Sequence, residues 1–310
     1  MNRLYSFVLP AYKAHFLKEA IDSILAQTYT NFELIIVNDA SPDDLDSIIS
    51  IYDDSRIQYY VNAQNLGGKD LIAHWNNTIT IAKGEYLILA SDDDIYHHKY
   101  LEKMNQLVDR YPQVNLLRPR KQNIDSSGNI IDVNGWLPEL CSPLEFAYFK
   151  SIAGKGLQFY MFKKEPLLAN GGFVNYPMAW YSDDATVVQM ADKGVAFCDE
   201  ILFSFRFSGE NISSKLNDTK LLMAKIRATV DFYADLPLLI GSLDKWKEED
   251  KWFQDTIISS IPGLLKKELR FWFGESDRKA CVRCISMLEK TGRFTKLELT
   301  KMLLRKLLVG

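Results

Sequence analysis

Over its first 120 residues the chain alternates short β-rich runs with segments of helical period, and this alternation leaves few architectures open. LYSFVL (4–9), FELIIVN (32–38), RIQYYV (56–61), EYLILA (85–90) and VNLLR (114–118) are too short and too rich in Val, Ile, Tyr and Phe for helices, so they read as strands. Between the first two, Phe16, Leu17, Ala20, Ile21, Ile24 and Leu25 recur at helical spacing, and 71–82 and 100–111 have the length and composition of further helices. Repeated strand, helix, strand units require right-handed crossovers. They predict a Rossmann-like, mostly parallel α/β sheet flanked by helices, an architecture of nucleotide-binding type.

Residues 120–214 carry turn signals at Ser126 to Asn129, at Gly154 and Gly156, and at Asn170 to Gly172, which predicts loops and mixed strands. From 215 onward Gly and Pro thin out, and 221–234, 252–261 and 279–289 have amphipathic helical patterns. The expected division is therefore 1–214, with a nucleotide-binding half to about 120 and an acceptor half from 121, followed by a helical C-terminal region over 215–310. At 47% hydrophobic and 25% charged residues, the composition is that of a globular protein and excludes a disordered chain. No run reaches the ~18 to 20 apolar residues of a membrane span, and MNRLYSFVLPAY lacks signal-peptide character, so a cytoplasmic location is expected. Four cysteines fit reduced thiols, and Cys281-x-x-Cys284 has no second pair to complete a zinc site.

Ligands of open parallel sheets bind beyond the carboxyl ends of the strands, where strand order reverses. Pro10-Ala11-Tyr12, Asn38-Asp39-Ala40-Ser41 and Ser91-Asp92-Asp93-Asp94 each follow a strand and should line one rim. Three adjacent carboxylates behind a buried strand repel one another unless a cation or hydrogen-bond donors neutralise them. Mg²⁺ or Mn²⁺, using one or two carboxylates and the phosphate oxygens of a substrate, is one solution. An Asp helix cap ahead of Ile95 with solvated neighbours is the other.

FVLPAYKAHFLKEAIDSILAQTYTNFELIIVNDASPD followed by KGEYLILASDDDIY resembles the inverting family 2 glycosyltransferases of GT-A fold, over roughly residues 4–214. The resemblance implies that Pro10, Ala11, Tyr12 and Asp39 contact the nucleoside base. It implies too that the triplet is the family's D-x-D element, with Asp92 on ribose and Asp93 or Asp94 on the metal. Where the family often has Ala-Arg-Asn, this chain has His74-Trp75-Asn76, and Lys69 is a candidate for the missing charge. FKKEPLLANGGF (162–173) resembles the segment shaping the acceptor side, where Gly171 and Gly172 would admit a ligand close to the backbone. WYSDDATVVQMADKG matches the region of the catalytic base, which places Asp183 at the family's Asp and Asp184 as the neighbouring option. In FRFSGENISS, Arg206 is retained as a donor contact while the family's His is replaced by Ser208.

The resemblance thus implies transfer of a sugar from a nucleotide-diphosphate donor, UDP-linked, to a hydroxyl of a glycan or lipid-linked acceptor. Inversion, assistance by Mn²⁺ or Mg²⁺ and no nucleic-acid partner go with it. A sugar-phosphate nucleotidyltransferase would open with a Gly-rich basic loop, which Val8 to Tyr12 is not. A non-catalytic nucleotide-sugar-binding module would more naturally lack one of the two acidic clusters. The tail carries its own charge: from Lys245 onward fifteen Lys and Arg face nine Asp and Glu, a net of +6 against −9 for the rest. Its end, KLELTKMLLRKLLVG, has the pattern of an interfacial helix, for peripheral contact with the cytoplasmic membrane face. The same leucines equally suit packing against the catalytic domain or pairing into a homodimer.

Overall fold

The computed structural model of the chain describes residues 2–153, 156–209 and 219–275, together with 282, 283, 285, 286, 288 and 289. Cys281, Cys284 and the basic segment 296–310 lie outside the described residues, as does most of the helix expected over 279–289. The elements run β1 (Tyr5–Ala11), α1 (Leu17–Leu25), β2 (Phe32–Asn38), α2 (Leu45–Ile49), β3 (Ile57–Val61), α3 (Leu71–Ile79), β4 (Tyr86–Leu89), β5 (Ile95–Tyr96), α4 (Tyr100–Arg110), β6 (Leu116–Ile124) and β7 (Ile130–Val133). They continue with β8 (Leu140–Cys141), α5 (Pro143–Ala153), β9 (Met161–Lys163), α6 (Lys164–Ala169), α7 (Ser182–Met190), β10 (Val195–Arg206), α8 (Thr219–Ser242) and α9 (Glu249–Glu275).

One sheet of order β3-β2-β1-β4-β9-β6-β10-β5 organises the chain. β1 pairs in parallel with β2 on one side and β4 on the other, so the strand order reverses at β1 and opens a crevice beyond its carboxyl end. Every residue of β2 and β4 is buried, which is the signature of strands covered by helices on both faces. The pairings Ala11↔Asn38 and Val8↔Leu89 then carry Tyr12, Asp39 and Asp92 out over the same edge.

The strand expected over 114–118 is β6, which runs from Leu116 to Ile124, well past the expected stop at Arg118. The continuation RKQN falls in the stretch where loops and mixed strands were expected. In the fold Arg118 is fully buried, its guanidinium over the rings of Phe159 and Phe197 at 5.0 and 5.4 Å, and Pro119 pairs with Cys198 beside an irregularity in β10. Residues 120–214 also contain α5 and α6, helices where loops and mixed strands were expected. The turn at Ser126 to Asn129 forms as expected: Asp125 accepts from the amides of Ser127 and Asn129 at 2.8 and 2.9 Å, and Gly128 takes φ +85°.

The tail helices have cores of their own. Tyr181, Ala185 and Val188 pack with Ala228, Phe232, Leu236 and Ile240 of α8, while Ile226 and Val230 pack with Leu269 and Trp272 of α9. No described helix is long and apolar enough to cross a membrane.

Candidate functional site

Asp39 begins the rim. Its Oδ1 accepts from the Asn62 side chain at 2.7 Å and the Leu66 amide at 2.9 Å, and its Oδ2 from the Gly67 amide at 2.7 Å. Burial opposes its charge, but these donors and the nearby His74 outweigh it and hold the carboxyl below the usual carboxylate range. Gly67 is required here by proximity: a Cβ would stand 3.0 Å from Asp39 Oδ2. Ala40, the next residue, sits at φ +50°, a strained conformation for a residue with a side chain. Such strain turns the chain sharply over the strand ends. Across the crevice Tyr12 is 42% exposed at the rim, its carbonyl taking the Ser41 hydroxyl at 2.6 Å.

The acidic triplet divides by environment. Asp92 Oδ2 accepts from the amides of both Tyr12 and Lys13, at 2.9 and 2.8 Å, so this carboxylate locks the β1 loop to the end of β4. Asp93 presents Oδ2 to the Lys13 ammonium at 2.7 Å and the Ser208 hydroxyl at 3.1 Å. Asp94 is the deepest: the Ser91 hydroxyl donates to its Oδ2 and the Arg206 amide, at 2.9 Å, to its Oδ1. Burial, with Asp93 adding repulsion, raises the Asp94 carboxyl to about 7. Ile95 enters β5, so no helix follows for these residues to cap.

Arg206 lies behind the triplet. Only 2% exposed, it donates through Nε to the Asp93 carbonyl at 2.9 Å and through a terminal nitrogen to Glu19 at 2.7 Å. It therefore buttresses the triplet from inside the protein. Lys69 hydrogen-bonds Gln64 at 2.7 Å on the exposed turn before α3. His74 lies 3.9 Å from Asp39, and burial lowers its pKa, which favours the neutral ring beside that carboxylate. Gly172, expected to admit a ligand, approaches the Asn76 side chain instead: at φ +86° its missing Cβ leaves room for that amide, which bridges both backbone groups of Phe173.

The second acidic pair opens α7. Tyr181 precedes it at φ +65°, its ring stacked on Phe232 of α8. Asp183 is half-buried and takes the Gly156 amide on Oδ2 at 2.7 Å. Asp184 is buried and forms an ion pair with Lys150 of α5 at 2.8 Å. Both acids lie in the first turn, where the helix dipole favours the carboxylate form. Burial opposes the charge of Lys150, yet Asp184 foremost and Asp183 also raise its pKa above that of an ordinary lysine.

Three lysines escape the sequence reading: Lys13, Lys121 and Lys150. Lys13 had a signal, a cation directly after the rim Tyr12; the other two sit in segments without a pattern. Lys121 is 5% exposed on β6; burial pushes it down to about 8, while Asp94 pulls up and Lys150 pushes down. Of the two acidic groups, it is the triplet, through Asp94, that acts on Lys121.

Divalent metal is consistent with this donor set under one condition. All candidate ligands are hard carboxylate oxygens, and Asp93 already holds a cation in the form of the Lys13 ammonium. Among the described residues no group of three or more His, Cys, Asp or Glu is arranged to hold a metal alone. The remaining oxygens must then come from a diphosphate and water.

The sequence model described as glycosyl transferase family 2 matches residues 6–167, just over half the chain, including all three strand-end motifs of the crevice. Among curated relatives, GlyG of Streptococcus pneumoniae is 35% identical over 111 residues, covering 35% of this chain and 36% of its own. An uncharacterized glycosyltransferase of Rickettsia typhi is 38% identical over 108 residues, 34% of this chain and 32% of its own. The match thus spans about a third of the length of these relatives. In three dimensions the chain resembles S. aureus TarS 1-349 in complex with UDP-GlcNAc, with a TM-score of 0.63 at 15% identity over 97% of this chain and 88% of that one. It also resembles the mannosyltransferase PcManGT of Pyrobaculum calidifontis in complex with GDP-Man and Mn²⁺, with a TM-score of 0.56 at 16% identity over 98% and 87% of the two chains. These likenesses establish the GT-A fold, and the match over the crevice-forming half establishes that the chain belongs to glycosyl transferase family 2.

Proposed function

We propose that the chain transfers a sugar from a UDP-linked donor to a hydroxyl of a glycan or lipid-linked acceptor, with inversion at the anomeric carbon. The observation that carries this reading is the placement of the acidic groups. Asp39 and Asp92 to Asp94 stand at the ends of β2 and β4, the parallel strands that flank β1 at the strand-order reversal, and Asp183 and Asp184 open α7. A nucleotide-sugar site needs a base pocket, a diphosphate site and a proton acceptor, and these groups supply all three in order.

Asp39 Oδ2 accepts one hydrogen bond in the protein, so a lone pair is left for the imino N–H of uracil, with the Tyr12 ring beside it. Asp92 faces the ribose, and Asp93, backed by Asp94, faces the diphosphate. Mn²⁺ or Mg²⁺, when bound, neutralises charge developing on the leaving diphosphate. Asp183 takes the proton of the acceptor hydroxyl as that oxygen attacks the anomeric carbon opposite the departing nucleotide. It is the member of its pair with solvent access, whereas Asp184 is sunk against Lys150. One displacement inverts the centre, and no covalent sugar intermediate forms. Residues 1–214 act as the transferase unit, with 215–310 as a helical extension that brings the enzyme to its acceptor at the cytoplasmic membrane face.

Thermal melting with UDP or GDP, each with and without Mn²⁺, tests the donor site. UDP should stabilise the protein only with the metal, by mass action on the native state. Asp93→Ala with Asp94→Ala should abolish the shift; undiminished metal-dependent stabilisation in that double variant removes the triplet from the site. Incubation with UDP-GlcNAc, UDP-glucose and GDP-mannose, followed by detection of released nucleoside diphosphate, separates the donors.

A further inference from the structure

The Lys13 ammonium is held between two carboxylates of the triplet. It stands 2.7 Å from Asp93 Oδ2 and 3.2 Å from Asp92 Oδ1, and those carboxylates are 9% and 7% exposed against 28% for the lysine side chain. Burial opposes its charge, but Asp92 and Asp93 hold it firmly protonated. Its backbone cannot drift, because the Lys13 and Tyr12 amides are both bonded to Asp92. The side chain is a flexible stem on that fixed anchor, with its head group partly in water.

We propose that Lys13 is an exchangeable counter-ion: it neutralises Asp93 in the free protein, is displaced when a divalent cation arrives, and then binds the donor diphosphate. This rests on the donor-site reading above. Two cations at contact distance from one carboxylate oxygen repel each other strongly in a partly buried site, so a divalent ion that takes Asp93 Oδ2 disfavours the ammonium there. A metal arriving alone must expel Lys13 to water and leave it beside a new positive charge. A metal arriving with a diphosphate gives the ammonium an anionic destination within reach of its stem. Metal and nucleotide therefore bind cooperatively, and Lys13 carries part of the coupling.

The test measures Mn²⁺ binding to the full chain from the electron paramagnetic resonance signal of the free ion, first alone and then with saturating UDP. Lys13→Met should bind Mn²⁺ alone about tenfold more tightly than wild type, because the competing cation is gone. The UDP-induced gain in Mn²⁺ affinity should be smaller in the variant. Lys13→Gln should follow Met, and Lys13→Arg, which keeps the charge, should follow wild type. Circular dichroism and melting temperature establish that each variant is folded. Mn²⁺ binding by Lys13→Met no tighter than wild type overturns the counter-ion role, and an unchanged UDP effect overturns the hand-over to diphosphate. A wild type that binds UDP neither with nor without Mn²⁺ sinks the donor reading and the hand-over with it, while the metal-alone comparison still decides whether Lys13 competes for Asp93.

Discussion

Tyr181 and Phe232 lie face to face, ring centroids 4.5 Å apart and planes 6° from parallel, joining the residue that turns the chain into α7 to the middle of α8. Tyr181 holds a left-handed backbone at φ +65°, a conformation that costs of order 1 to 3 kcal/mol and persists only where surroundings over-determine it. Its ring is clamped by Phe232, with Tyr233 edge-on at 5.7 Å. The C-terminal helices therefore help set where Asp183 points, two residues on.

Phe232→Leu should accordingly impair transfer more than donor binding. Loss of the stack, with the shape change, is expected to destabilise the fold by about 1 to 2 kcal/mol. Nucleotide affinity should stay near wild type, because Asp39 and the triplet lie on another part of the sheet. Measured kcat falling well below wild type at unchanged donor Kd supports the coupling. Equal loss of both would mean the helices merely stabilise the fold.

Asp183→Asn should keep nucleotide and metal affinity and lose transfer by ~10²-fold or more, the usual scale for a general base. Asp184→Asn separates the two acids, since it should act chiefly on stability. If that variant is dead and Asp183→Asn active, the register of the base moves by one. If both are active, the pair is structural.

The Lys150–Asp184 ion pair predicts a thermodynamic pattern. Removing one partner leaves the other charge buried, so Lys150→Met should cost ~3 to 5 kcal/mol, whereas Lys150→Met combined with Asp184→Leu should recover most of it. A double variant as unstable as the single one would show that the pair is not an isolated unit. The pH dependence has a definite sign. Lys150 is raised in the folded protein, so its contribution is fully present below the unfolded lysine pKa and is lost as pH climbs through the folded value. Wild type should therefore lose stability in strong alkali, and the double variant should lose less.

Asp39 gives the opposite limb. Its folded pKa lies below the ordinary value of 3.8, so the stability it contributes is present above that value and disappears as pH falls through the folded one. Urea unfolding between about pH 2 and 6 should show a smaller acid loss for Asp39→Asn than for wild type. The same variant should bind UDP weakly, because an amide cannot accept in every position a carboxylate can. Parallel acid limbs in the two proteins would reassign that stability elsewhere.

How far the sequence could be read follows from where information is local. β1, β2 and β4 are short apolar runs followed by polar residues, so both the strands and the residues at their carboxyl ends, Tyr12, Asp39 and Asp92 to Asp94, were legible. β6 was not, because its length depends on aromatic rings from distant segments that let Arg118 and Lys121 be buried. The division of labour within SDDD was equally hidden: identical side chains differ only in depth and in which amides they meet. Arg206 shows the same limit. The resemblance singles out Arg206, but not its partners Glu19 and Asp93, which come from elements far away in the chain.

The last prediction concerns the segment KLELTKMLLRKLLVG, which lies outside the described residues. Leu297, Leu299, Met302, Leu303, Leu304, Leu307 and Leu308 alternate with Lys296, Lys301, Arg305 and Lys306, as an interfacial helix requires. Each basic residue near anionic lipid contributes roughly 1 kcal/mol, enough for four of them to localise the enzyme reversibly. Cosedimentation should therefore be strong with vesicles rich in anionic lipid at low salt, weak with neutral vesicles, and lost at high salt, where a Debye length of about 3 Å at 1 M screens the attraction. Lys301→Glu with Arg305→Glu should abolish pelleting while leaving UDP affinity unchanged. Equal pelleting with both lipids, or none with either, would defeat the electrostatic membrane contact; if there is none with either, the leucine face packs against the catalytic domain or a second copy of the chain. Sedimentation equilibrium then distinguishes those two arrangements by mass.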